Sequence, residues 1–223
     1  MGAFRTADSN ELREATHTRA AAAAEERARV ERREFNPREY REQFMRDIPL
    51  GYIEMRSAFG PGGEYGNWVR SRPAVAKVNG ILFLHGGISD AAAALGCGGV
   101  NERVAADMKA TAGDQAQVAA TLAASETGPL WYRGLAQEPE DEFAPKLESI
   151  LSRMGGRAIV VGHTPSVGKI TTRFGGRVVQ IDTGMLNGTF YPRGVPAALE
   201  LHGNSATAIY LDRREPLPPL APA

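Results

Sequence analysis

The sequence predicts a mixed α/β fold, a β-sheet with helices packed on one side, on three observations. Two short runs, "GILFLHGG" and "RAIVVGH", are rich in Val, Ile and Leu and stop at glycine and histidine, the pattern of buried strands. The stretch between them is alanine-rich and then amphipathic, and it ends at Gly155-Gly156, the pattern of helices. The final third alternates short β-branched runs with glycine turns.

The elements follow in order. From Asn10 to about Glu34 the chain is rich in Ala, Glu and Arg, without Gly or Pro and with few large apolar residues, which predicts a long polar helix with Ser9 as its N-cap. A second helix carries Phe44 and Met45 and closes at Pro49, followed by a short apolar connection and a glycine-rich loop, "GPGGEYGNW". "AVAKVNGILFL" predicts a β-hairpin turned at Asn79-Gly80. Helices are expected within residues 91–127 and over Asp141–Met154. Strands are expected in "RAIVVGH", "ITTRFGGRVVQIDTG", "PAALELHG" and "SATAIYLD", and the proline-rich end "EPLPPLAPA" reads as unstructured. The expected organisation is one domain over residues 1–213, with a helical segment at about 1–48, and a tail at 214–223.

Composition limits the function classes. Basic and acidic residues cancel at 26 each, so no global charge draws the chain to nucleic acid or to an anionic membrane. A single cysteine, Cys97, excludes an internal disulfide framework and favours a cytoplasmic setting. No 18-residue apolar run predicts a membrane span.

His85 and His163 both stand just past probable strands, where a side chain projects into the crevice that ligands occupy. Imidazole there is a natural ligand for a divalent transition metal, and two in the same context are what ligands from neighbouring strands look like. The glycines after His85 are expected to turn the chain and leave space for a metal and its oxyanion. His17 and His202 lack that setting and read as surface residues. Arg133, in "GPLWYRGLA", is the candidate anion-binding residue, because planar guanidinium suits phosphate.

Two competing motifs fail. "GHTPSVGKIT" has five residues between its glycines and Ile170 after Lys169, whereas a P-loop needs four residues and a hydroxyl. "HGG" also occurs in esterase oxyanion loops, but no G-x-S-x-G elbow accompanies it.

"FLHGGISD", "GPLWYRG", "VVGHTP" and "IDTGM", in that order, resemble the calcineurin-like metallophosphoesterases, and in particular the bacterial Shewanella-like branch of the phosphoprotein phosphatase family. "IPLGYIEMRSAFGPGGEYGNWVRSRPAVAKVNG" resembles that branch as well, so the likeness runs from about Phe4 to Asp212. The resemblance implies part of the family's two-sheet sandwich and hydrolysis of a phosphomonoester. The family does this with two divalent metal ions (Mn, Fe or Zn) about 3.5–4 Å apart. It implies metal-ligand roles for His85 and His163, a phosphate-holding role for Arg133 and a site-shaping role for Asp182.

The family's GD-x-HG, GD-x-x-DRG and GNHE motifs, which supply the remaining ligands and the proton donor, do not occur in this sequence; its one GD, Gly113-Asp114, is followed by Gln115. The opening "GAFRTADSNELREA" resembles sequence that normally follows GNHE. The resemblance is thus to the family's C-terminal part, and two imidazoles alone are expected to support at most one weak metal site. The partners it implies are a phosphorylated protein or a small phosphomonoester, together with a complementary N-terminal chain. The alternatives are a non-catalytic phosphate-binding or partner-pairing module, or an inactive fragment.

Overall fold

A computed structural model describes residues 2–109, 115–166, 168–185 and 190–220. Gly113-Asp114 therefore lies outside the described residues. Contacts divide the chain into two compact units, Met1–Ser71 and Arg72–Ala223.

The first unit is helical throughout. α1 spans Ser9–Val30, α2 Pro37–Asp47, α3 Tyr52–Phe59 and α4 Glu64–Arg70. Ser9 is not the N-cap expected of it: it is the first helical residue, preceded by Asp8, and its hydroxyl accepts from the Thr6 amide and donates to the Glu54 carboxylate. α2 does carry a side-chain cap, since Asn36 accepts from the amides of Arg38 and Glu39 and Pro37 needs no amide partner. The segment read as an apolar connection is α3. His17 is not a free surface residue, because its ring packs 5.2 Å from that of Phe44 and 6.0 Å from that of Tyr40.

The second unit holds two sheets. β1 (Val75–Val78) and β2 (Ile81–Leu84) form the expected hairpin. Asn79 and Gly80 both take positive φ, 50° and 73°, as a two-residue turn of this hand requires. α5 (Asp90–Ala93), α6 (Gly96–Lys109), α7 (Gln115–Ala119), α8 (Gly134–Gln137) and α9 (Glu140–Met154) then lead to β3 (Ala158–Val161). α9 stops at Gly155, which is left-handed at φ 62°. β4 (Thr171–Arg173) and β5 (Val178–Gln180) complete a five-stranded sheet in the order β1-β2-β3-β5-β4, with β2, β3 and β5 mutually parallel. β6 (Ala197–His202), β7 (Ser205–Tyr210) and β8 (Arg214–Pro216) form a second, antiparallel sheet.

Alternation along the strands explains the layers. Leu82, Leu84, Ile159, Val161 and Val178 share one core with Val100 of α6 and Phe143, Leu147 and Ile150 of α9. Ile81, Ala158, Val160 and Val179 share the other with Ala206, Ala208 and Tyr210 of the second sheet. The Tyr210 hydroxyl also accepts from the buried Ile170 amide at 2.9 Å. β3 is buried on both faces, so its sequence is a continuous apolar run with no alternation.

Over residues 214–220 the tail is not unstructured, as its composition suggested; residues 221–223 lie outside the described residues. Residues 214–216 form β8, Leu217 and Leu220 donate backbone bonds to Ala206 and Asn204, and Leu220 is buried in the second core. An edge position tolerates the prolines because the outward side needs no donor. Among the described residues, no helix is long and apolar enough to cross a membrane.

Candidate functional site

β2, β3 and β5 run parallel and end at the same edge of the sheet, and each strand is followed directly by a sequence-predicted site residue. His85 follows Leu84, Gly162-His163 follows Val161, and Ile181-Asp182 follows Gln180. The Gly162 amide donates to the His85 carbonyl at 2.8 Å and the Ile181 amide to the Val161 carbonyl at 2.8 Å, so the three loops stay in register past the strands. The carboxyl edge of parallel strands is where α/β sheets place ligands.

The two imidazoles converge. His85 Nε2 lies 3.2 Å from His163 Nδ1, and the ring centroids are 4.9 Å apart. His163 is a non-glycine residue held at φ 62°, a conformation that costs about 1–2 kcal/mol and persists only where its surroundings enforce it. The enforcing contacts are the Thr164 amide donating to Gly162 O at 2.6 Å and Arg133 Nη1 donating to His163 O at 3.3 Å. Arg133 Nη1 also donates to Thr164 Oγ1 at 3.2 Å, and the Trp131 ring meets the His163 ring edge-on at 5.3 Å. Burial, then the Arg133 guanidinium and then His85 hold the His163 imidazole below its usual pKa, against the opposing charge of Asp182. The ring is thereby biased toward the neutral form that ligates metals.

His85, His163 and Asp182 line a cleft of about 380 Å³, whereas Arg133, Trp131 and Gln137 line an adjoining one of about 500 Å³. His163 of the first and Trp131 of the second are in ring contact. Asp182 bonds its own turn: its Oδ1 accepts from the Gly184 amide at 3.0 Å, and its carbonyl accepts from the Ser166 amide at 2.8 Å.

The glycines after His85 have a different reason from the one expected. A Cβ on Gly86 would lie 3.0 Å from the Leu130 carbonyl, and one on Gly87 would lie 3.0 Å from Tyr132 O. Both amides donate to Pro129 O, at 2.8 and 3.3 Å. The space is filled by the loop that delivers Arg133, so these glycines bring guanidinium and imidazole together. Thr164 and the Trp131–His163 contact escaped the sequence reading, although "GHT" and "WYR" put both residues beside the ones chosen.

Whether these donors suit a metal can be judged from their spacing and number. Two nitrogens each about 2.1 Å from one cation and 90–110° apart at it are separated by about 3.0–3.4 Å, which spans the observed 3.2 Å. Among the described residues His163 Nε2 is buried without a partner, and Nδ1 is the nitrogen that faces His85. The pair fits one divalent cation as a partial ligand set. It does not fit a dinuclear centre: among the described residues no group of three or more His, Cys, Asp or Glu side chains forms, and neutral imidazoles cannot offset two adjacent dications.

No model of a known protein family matches the chain. Shewanella-like protein phosphatase 1 of Plasmodium berghei is 28% identical over 181 residues, covering 79% of this chain and 49% of that protein. An uncharacterized Schizosaccharomyces pombe protein is 35% identical over 82 residues, 37% of this chain and 24% of that protein. Among solved structures, a cold-active protein tyrosine phosphatase matches with a TM-score of 0.61 at 24% identity, covering 83% of this chain and 52% of that one. The cold-active protein-tyrosine phosphatase of a psychrophilic Shewanella species matches with a TM-score of 0.60 at 25% identity, over 83% of this chain and 53% of that one. The chain therefore spans about half the length of the phosphatases it matches. Four motifs in order, a relative aligned over most of the chain and a shared fold lead to one conclusion: the chain is similar to the C-terminal half of the Shewanella-like protein phosphatases.

Proposed function

We propose that this chain supplies the histidine and arginine portion of a metal-dependent phosphomonoester hydrolase. The observation that carries the reading is the 3.2 Å approach of His85 Nε2 to His163 Nδ1, with Arg133 bonded to the His163 backbone. His85 and His163 would hold one divalent cation, which when bound supplies Lewis acidity toward a phosphoryl oxygen. Arg133 holds and orients the phosphate, its charge offsetting that of the phosphoryl oxygens. Trp131 steadies the His163 ring by edge-on contact. Asp182 keeps its loop against the histidines through the Gly184 amide.

The substrates that suit this chemistry are a phosphorylated protein or a small phosphomonoester in the cytoplasm. Turnover needs the carboxylate ligands and proton donor that the four motifs here do not include, furnished by a complementary chain or segment. The lack of a third donor group among the described residues favours a second reading for the chain by itself, phosphate binding without hydrolysis.

The test uses p-nitrophenyl phosphate with manganese, on the chain alone and on the chain joined to the remaining half of a full-length relative. Hydrolysis only in the completed protein supports the proposal, whereas background rates in the completed protein refute it. Calorimetry with a phosphopeptide on the chain alone decides the second reading, since an absence of binding heat removes it.

A further inference from the structure

We propose that Arg173, at the end of β4 and outside both clefts, is the positioning residue that aims Arg133; the proposal rests on the phosphate-binding reading of Arg133. α8 has four residues, and Arg133 stands at its N-cap. A single turn has no stability of its own, and its last carbonyls lack intrahelical partners. The Arg173 guanidinium supplies partners for this turn. Nη1 donates to Leu135 O at 2.8 Å, Nη2 donates to Glu138 O, and Nε lies 3.4 Å from Glu140 Oε1.

The tie is reciprocal, because Glu140 Oε2 accepts from the Phe174 amide at 2.7 Å. The Arg173 side chain is only 14% exposed, and its guanidinium carbon lies 4.9 Å from the Phe174 ring centroid. Phe174 in turn packs on Phe143 of α9, with centroids 5.9 Å apart. β4 pairs with β5, Thr171 opposite Gln180, and β5 leads directly into Asp182. The arginine loop and the histidine loops are thus referenced to one sheet, and Arg173 is the link on the arginine side. The guanidinium reaches two carbonyls and a carboxylate from three separate nitrogens, whereas lysine offers a single nitrogen that cannot span the same three acceptors.

The experiment compares the full chain with Arg173→Lys, Arg173→Met and Arg133→Met. It measures inorganic phosphate binding by calorimetry, manganese binding, and hydrogen exchange at the Ala136, Gln137 and Glu138 amides, which bond to Arg133 O and Gly134 O. Arg173→Lys is expected to weaken phosphate binding roughly 10- to 100-fold, to leave manganese affinity within about twofold and to speed exchange at those three amides. Unchanged phosphate affinity and unchanged exchange in Arg173→Lys overturn the proposal, as does a parallel loss of manganese and phosphate binding. If Arg133→Met leaves phosphate affinity untouched, the phosphate reading itself fails. The exchange arm then decides positioning alone, with faster exchange supporting it and unchanged exchange rejecting it. Should Arg173→Met fail to fold, Arg173→Lys carries the decision.

Discussion

Replacing Gly86 by alanine is the most informative single perturbation of the site. The added Cβ lies 3.0 Å from both the carbonyl carbon and oxygen of Leu130 and 3.1 Å from the Trp131 nitrogen, all of them backbone atoms that cannot rotate away. Comfortable carbon contacts are about 3.5–4.0 Å, so the loop must retreat by several tenths of an ångström. Overpacking of this kind costs about 1–3 kcal/mol. Strain on the Gly86 amide bond to Pro129 O, 2.8 Å long, adds about 1 kcal/mol. A total of about 3 kcal/mol lowers the melting temperature by roughly 6–12 °C in a protein of this size. Gly98 in α6 is the internal control, because its Cβ would meet nothing within 4 Å. Gly98→Ala should therefore raise stability by up to about 1 kcal/mol through helix propensity. Thermal unfolding of the two variants side by side checks the signs. A Gly86→Ala protein that melts within a degree of wild type would refute the argument that this glycine exists for close approach of the Arg133 loop.

Two further outcomes follow from the same geometry. The Tyr132 phenol is pushed up to about 12 by burial and by the neighbouring Glu138 carboxylate. Its folded value exceeds its unfolded value of about 10, so its contribution to stability is complete below that pH and is lost as pH rises through about 12; ultraviolet titration of wild type against Tyr132→Phe should show one tyrosine ionising late, and a difference spectrum centred on the ordinary value would contradict it. His163→Gly removes an imidazole but relieves a left-handed φ of 62°, trading about 1–2 kcal/mol of strain against about 1 kcal/mol of backbone entropy. Its denaturant midpoint should stay close to wild type, and a large loss of stability would show that the ring is needed for folding.

Local chemistry was legible in the sequence wherever a short motif has one conformational solution. Asn79-Gly80 announced its hairpin, and Gly155 announced the end of α9, because each must take positive φ. The apolar runs ending in His85 and His163 marked strand ends, and the structure sets those ends side by side. Contacts distant in sequence were not legible. Nothing local to "EPLPPLAPA" shows that Leu220 will find a pocket made by β7 and its neighbours. The glycines after His85 looked like space kept for a ligand, and only the path of residues 129–132 reveals them as the seat of another loop. Tyr52–Phe59 has helical spacing but lies between glycines and a proline, so punctuation outweighs periodicity and the sequence predicts a connection where α3 forms. Arg173 sits in an ordinary strand sequence, and its role depends entirely on α8 and α9 coming to rest beside it.

The central claim is that the rings of His85 and His163 share one cation. Titration of the chain with manganese by calorimetry, in wild type, His85→Ala and His163→Gly, tests it directly. A single weak site in wild type that disappears in both variants is the predicted result. Equal heats in all three proteins would contradict it, and the 3.2 Å approach would then be a hydrogen bond between two imidazoles.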